Sequence, residues 1–287
     1  MINDGLITQA YVNTLIRKRD RELHKGSCGK VLILAGSKGM AGAAVLCARA
    51  AYRTGAGLVR VCAPEELFPI LQIGVPEATC IVRERLFEDL EQYSAVAVGP
   101  GLGEESRDGL LIKKLIHMTD KPVVIDADGL NLLQQEPEEM KRATAKIIIT
   151  PHPGEAARLL NRKTSEINSE RQGCALELAA VTGAITVLKG AGTVVATPEG
   201  KTYINTTGNP GMATGGSGDV LTGVIASLAG QGLAPEAAVK AGVFLHGLAG
   251  DLAAARMGEY GMIASDIADL VALAIRHILE NPETLEK

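Results

Sequence analysis

Short apolar runs rich in β-branched residues alternate along the chain with longer stretches of helical period. KVLILAG (30–36) reads as a strand buried on both faces, and AAVLCARAAYRTG (43–55) as a helix closed by Gly55. GLVRVCAP (57–64) is a strand stopped by Pro64, and SAVAVGPG (94–101) is another. RDGLLIKKLIHM (107–118) repeats its apolar positions at i, i+3 and i+4, the spacing of a helix with one buried face. PVVIDADG (122–129), AKIIIT (145–150) and AITVLKG (184–190) are strands, with one helix expected over 165–183, ending at Gly183. TVVAT and KTYIN, joined by PEG within 193–205, read as a hairpin that breaks the regular pattern. From residue 217 to the end the pattern is helical. Strand, helix, strand in succession predicts βαβ units: one domain over 1–287, a three-layer α/β/α sandwich with a mostly parallel central sheet.

Composition narrows this picture. Apolar residues make up 46% of the 287 and charged residues 22%, the balance of a globular chain. Eight aromatics, none of them Trp, force an aliphatic core. The net charge of −4 argues against a nucleic-acid face. No run of eighteen apolar residues occurs, so no spanning helix is expected. MINDGLITQAY places an acid where a secretory signal carries basic charge, so cytoplasmic residence is the expectation. The five cysteines are scattered without a C-x-x-C, which fits a reducing compartment, and Cys28 is the one in a loop setting that suits reactivity. Glycine stands at 33, against about 20 for an average chain of this length.

Thirteen of those glycines fall in five segments: AGSKGMAGAA, GPGLG and LKGAGT, which follow strands, and GNPGMAT with GGSGD, which open a helix. ITPHPGE also follows a strand. In an open parallel sheet, ligands sit beyond the C-terminal ends of the strands, so these loops should converge on one edge. Gly215, Gly216, Ser217 and Gly218 form the candidate anion hole, backed by the positive end of the uncharged helix that follows. Asp219 in that first turn reads as a helix-start carboxylate or as a base. A carboxylate inside an anion hole repels phosphate, which favours a base that deprotonates a hydroxyl for phosphoryl transfer. Lys189, Gly190, Ala191, Gly192 and Thr193 read as an ordinary turn or as a nucleotide cradle. His152 is held between Pro151 and Pro153, which suits ligand contact. Glu155 reads equally as a helix-start carboxylate or as a helper of magnesium. Asp126, Asp128 and Asn131 read as caps and turn residues or as lining of the site. His24, His117, His246 and His277 stand outside any motif. No metal-ligand set is legible, and there is no Walker loop, G-x-S-x-G, H-E-x-x-H or G-x-G-x-x-G.

GGSGD preceded by GNPGMAT resembles the G-x-G-D anion hole of ribokinase-like enzymes, with Asp219 at the position of the catalytic base. HPGE stands where many of those kinases have N-x-x-E. With KGSCGKVLILAGSKGMAGAA, VIDADGLN, TPHPGE and LKGAGT in order over about residues 10–280, the chain resembles the ADP-dependent NAD(P)H-hydrate dehydratase family. The resemblance implies a ribokinase-like fold and a lyase that returns the S-epimer of hydrated NADH or NADPH to the intact cofactor. ADP would be the co-substrate, with Mg2+. It implies that Asp219, Ala41, Gly103 and His152 meet the hydrated cofactor. Lys189, Gly190, Ala191, Gly192, Thr193 and Gly218 would meet the nucleotide. It further implies a homotetramer, a stand-alone dehydratase without the epimerase domain of some relatives, and neither nucleic acid nor membrane as partner. The rival readings are a vitamin-type kinase of the same fold acting on a hydroxyethylthiazole or hydroxymethylpyrimidine, and a nucleotide-sensing module without catalysis. A nicotinamide dehydrogenase lacks its fingerprint.

Overall fold

A computed structural model describes residues 5–283. The outer ends of the domain expected over 1–287, and the start of MINDGLITQAY, lie outside the described residues. Ten strands form one sheet: β1 (Leu6–Ile7), β2 (Lys30–Leu34), β3 (Leu58–Cys62), β4 (Thr79–Ile81), β5 (Ala95–Val98), β6 (Pro122–Ile125), β7 (Lys146–Ile149), β8 (Ile185–Leu188), β9 (Val194–Ala196) and β10 (Thr202–Asn205). Their order is β1-β10-β9-β8-β7-β6-β5-β2-β3-β4. Only β9 runs against its neighbours; every other pairing is parallel. Nine strands therefore end on one edge.

Side chains alternate across the sheet. Val31 and Ile33 of β2 join one core cluster, Leu32 and Leu34 the other. The first cluster is completed by helices Ala41–Thr54, Ser217–Gly230, Pro235–Met257 and Ala264–Glu280, the second by Ser106–Met118, Pro153–Leu159 and Arg171–Thr182. The three layers expected from sequence are present. The largest fully buried side chains are all Leu and Ile, as a chain with few aromatics requires.

Local signals set most helix ends. Gly55 adopts φ 110° and returns its N–H to Ala51 and Tyr52, ending the helix before it. Against expectation, 165–183 is not one helix. Thr164–Ser169 and Arg171–Thr182 are separated by Glu170, whose φ and ψ of −132° and 47° leave the helical region. The hairpin of β9 and β10 is real, but it is not an edge, because β1 adds a parallel strand outside β10. Three of the thirteen glycines, Gly42, Gly211 and Gly218, lie in helical turns instead of loops. Pro235–Met257 is long and apolar enough to cross a membrane by length and composition, but 72% of its most apolar window is buried in the core.

Ser217–Gly230 is the central helix. Residues 220–230 are all buried, and Gly223 lets its backbone meet the helix Ala41–Thr54, where a Cβ would overlap the Cys47 carbonyl. This close packing fixes where the helix N-terminus lies above the sheet.

Candidate active site

The chain doubles back between β2 and β5. From β2 it moves outward to β3, and from β5 the other way to β6, so a crevice opens between their C-terminal ends. Loops from β2, β5, β6, β7 and β8 and the N-terminus of Ser217–Gly230 all arrive there.

The charged half of the site lies beneath that helix. Asp126, one residue past β6, is buried; its Oδ1 accepts from Lys189 Nζ at 2.5 Å and its Oδ2 from Thr222 Oγ1 at 2.8 Å. Lys189, one residue past β8, also faces Glu155 Oε2 at 3.7 Å. Its ammonium is 3.3 Å from where a Cβ on Gly218 would sit, so it lies against the first helical turn. Burial works against the Lys189 charge, yet Asp126 and then Glu155 hold its pKa above the ordinary value. Burial likewise opposes the Asp126 carboxylate, and Lys189 more than offsets this, holding Asp126 below the usual range.

Asp219 is half-buried in the same turn. Burial, and then the Asp126 carboxylate, push its pKa up to about 7 against the opposing pull of Lys189. A carboxyl poised there can take a proton at neutral pH. Gly216 starts the helix at φ 91°, a conformation that suits glycine, with Leu46 packed where its Cβ would be. His246, which stands outside any sequence motif, sits beneath this turn: its Nε2 donates to the Ser217 carbonyl at 2.9 Å. Burial takes its pKa down to about 4, so it holds that peptide as a neutral ring. No local motif marks it; only the pairing of two helices brings it there.

The rest of the site is largely backbone. His152 caps the helix Pro153–Leu159. Its Nδ1 accepts from the Gly154 and Glu155 amides at 2.9 and 3.3 Å, and its own N–H donates to Glu155 Oε2 at 2.7 Å. The ring is exposed at the rim, with Nε2 3.3 Å from Glu155 Oε1. Glu155 is therefore buried and bound, touching both His152 and Lys189. Asp128 Oδ2 accepts from the Gly103 amide at 2.8 Å, and Asn131 ties Arg158 to Glu104, so both are braces of the loops. Ala127, between β6 and Asp128, has φ 48°, a strained value for a side-chain-bearing residue. Ala41 opens its helix in a buried position beside the crevice.

Gly190, Ala191 and Gly192 are exposed past β8, with Thr193 Oγ1 closing their turn onto Gly190 O at 3.0 Å. The Lys189 side chain turns inward from that loop to Asp126, which leaves backbone as what the turn presents. Cys28 is buried, and all five cysteines are free. Among the described residues, no three His, Cys, Asp or Glu side chains gather as a metal cluster.

A family profile described as NAD(P)H-hydrate dehydratase matches residues 31–272. The bifunctional NAD(P)H-hydrate repair enzyme of Moorella thermoacetica is 40% identical over 99% of this chain, which spans 56% of that relative. The ADP-dependent (S)-NAD(P)H-hydrate dehydratase of Neisseria meningitidis serogroup B is 40% identical over 88% of this chain and 87% of its own length. The chain thus spans about half the length of the bifunctional relatives it matches. Among solved structures, the ADP/ATP-dependent NAD(P)H-hydrate dehydratase of Bacillus subtilis, co-crystallised with ATP and Mg2+, superposes with a TM-score of 0.87. It is 33% identical over 97% of this chain and 100% of that one.

Proposed function

The chain belongs to the NAD(P)H-hydrate dehydratase family, and from that premise we propose that it returns the S-epimer of hydrated NADH or NADPH to the intact cofactor at the expense of ADP. The observation that carries the reading is the half-buried Asp219 carboxyl in the glycine-rich first turn of Ser217–Gly230, near Lys189, with its pKa pushed up to about 7. Hydroxide is a poor leaving group, and phosphorylation makes it a good one. Asp219 takes the proton of the substrate hydroxyl, whose oxygen attacks the β-phosphorus of ADP. The bond to the bridging oxygen breaks and AMP departs. The lone pair of the ring nitrogen then expels phosphate, and loss of a proton from the adjacent carbon restores the dihydropyridine.

Around Asp219 the roles divide. Backbone amides of Gly215 to Gly218 receive the phosphoryl charge, with Lys189 beneath them as the fixed positive charge. Gly190 to Thr193 hold the nucleotide with Gly218, while Ala41, Gly103 and His152 hold the hydrated cofactor. The three carboxylates of Asp126, Glu155 and Asp219 outnumber the single Lys189 ammonium, and a divalent cation carried on the phosphates suits that excess. Glu155 is the side chain that would help hold it, directly or through water. Mg2+ would supply neutralisation of the transferring charge. We place the enzyme in the cytoplasm, where five free thiols are at home, and read it as one dehydratase domain assembling as a homotetramer.

Incubation with hydrated NADH, ADP and Mg2+ tests this: the dihydronicotinamide absorbance should recover with AMP released. No recovery with either ADP or ATP overturns the dehydratase. A phosphorylated thiazole or pyrimidine product would assign the site to a vitamin-type kinase.

A further inference from the structure

We propose that Arg83 is a positioning residue for the hydrated nicotinamide nucleotide: with Asp108 it clips together the two backbone loops on either side of the β2–β5 crevice. The inference rests on the activity proposed above.

Arg83 lies past β4, in the turn Arg83–Arg85, far along the sheet from Lys189. Its guanidinium is nearly buried and reaches three groups. Nη1 donates to Asp108 Oδ2 at 2.5 Å, and Nη2 donates to the carbonyls of Gly36 at 2.8 Å and Leu102 at 3.3 Å. Gly36 follows β2 and Leu102 follows β5, so one side chain holds both lips of the crevice. The lips also touch directly, with Gly36 N donating to Pro100 O at 2.9 Å. The residue after Leu102 is Gly103, whose amide is held by Asp128. The backbone expected to read the substrate is thus pinned from both sides.

The chemistry points to position more than to stability. Arg83 Nε and Asp108 Oδ1 are buried without a protein partner, and a buried ion pair with unmet hydrogen bonds adds little net stability. What the pair does is fix two carbonyls relative to one carboxylate. A planar fork can do this and an ammonium cannot. The nucleotide turn has its own brace, because Arg171 Nη2 donates to the carbonyls of Leu188 and Lys189 at 3.0 and 3.2 Å. Loss of the Arg83 clip should therefore affect one substrate and spare the other.

The test is the paired variant Arg83→Met with Asp108→Leu, which removes both charges and keeps the volume, beside Arg83→Lys. In the paired variant KM for hydrated NADH should rise about tenfold to a hundredfold. KM for ADP should stay within about twofold, with kcat little changed and the melting temperature kept. Arg83→Lys should not restore the wild-type KM. A paired variant with wild-type KM for hydrated NADH overturns the proposal. So does an equal loss for both substrates with a lowered melting temperature, which would make the pair structural. If wild-type protein shows no turnover, the dehydratase reading alone fails, and amide hydrogen exchange judges the clip. Exchange over 36–40 and 100–104 should then quicken together by about tenfold or more in the paired variant. Unchanged exchange overturns it.

Discussion

The two halves of the site are built from different materials. Under the helix Ser217–Gly230, charged side chains gather: Lys189 pairs with Asp126 and faces Glu155, and burial with the Asp126 carboxylate raises the pKa of Asp219. Across the crevice, at the ends of β2 and β5, the surface is glycine-rich backbone, and the charged side chains there, Arg83, Asp108 and Asp128, hold it from behind. The difference teaches where charge has to move. In the proposed reaction a proton and a phosphoryl group change place at the first half, which calls for a carboxyl placed to take up a proton near neutral pH. The second half only has to recognise a shape, and fixed N–H and C=O groups do this with little to reorganise.

The contrast can be broken most directly at Asp219. Asp219→Asn should lower kcat by about 10²–10⁴-fold while ADP still binds, measured by single-turnover kinetics and calorimetry. Retained turnover would remove the base from the charged half. Next comes Lys189→Met, which strands Asp126 and Glu155 without their cation. Breaking a buried pair costs about 3–5 kcal/mol, so the urea midpoint should fall sharply. A midpoint near wild type would show that the cluster is wetter than its burial indicates.

The pH profile sharpens the same point. As the proposed base Asp219 acts ionised, so kcat/KM should climb as pH passes about 7. The sign for stability is opposite. A carboxyl whose pKa is raised in the folded state contributes stability below its ordinary pKa and loses it as pH rises through about 7. Asp219→Asn should accordingly melt above wild type at pH 8, with the gap closing in acid. A flat profile across pH 6–8 would place the controlling group elsewhere. The smallest effect belongs to the recognition side. His152→Ala should raise KM for hydrated NADH and cost about 1 kcal/mol as its cap is lost. Unchanged KM would leave His152 a cap alone.

Much of this was legible in the chain. The parallel sheet followed from buried β-branched runs separated by helical periods, and the glycine-rich helix start from GGSGD at the head of an uncharged stretch. Capping signals such as Gly55 and Gly183 act within one turn, so they survive without tertiary context. The break at Glu170 did not show, because SEINSERQGCALELAAVTG keeps a helical period on both sides of it. Asp126, Asp128 and Asn131 could be listed but not sorted, since being a cap or a site group depends on what lies opposite.

By itself, the sequence determined the class of fold, the sheet edge on which the glycine-rich loops converge, and an acidic residue in the first turn of the helix they open. These rest on spacing within a few residues. Tertiary structure alone decided that Lys189 turns from its loop to Asp126, 63 residues away, that His246 braces Ser217, and that Arg83 spans two loops. Each of those needs the strand order and the helix packing. A long flexible side chain has no preferred partner until the sheet sets one beside it, and the pKa of Asp219 exists only once burial and its neighbours are in place.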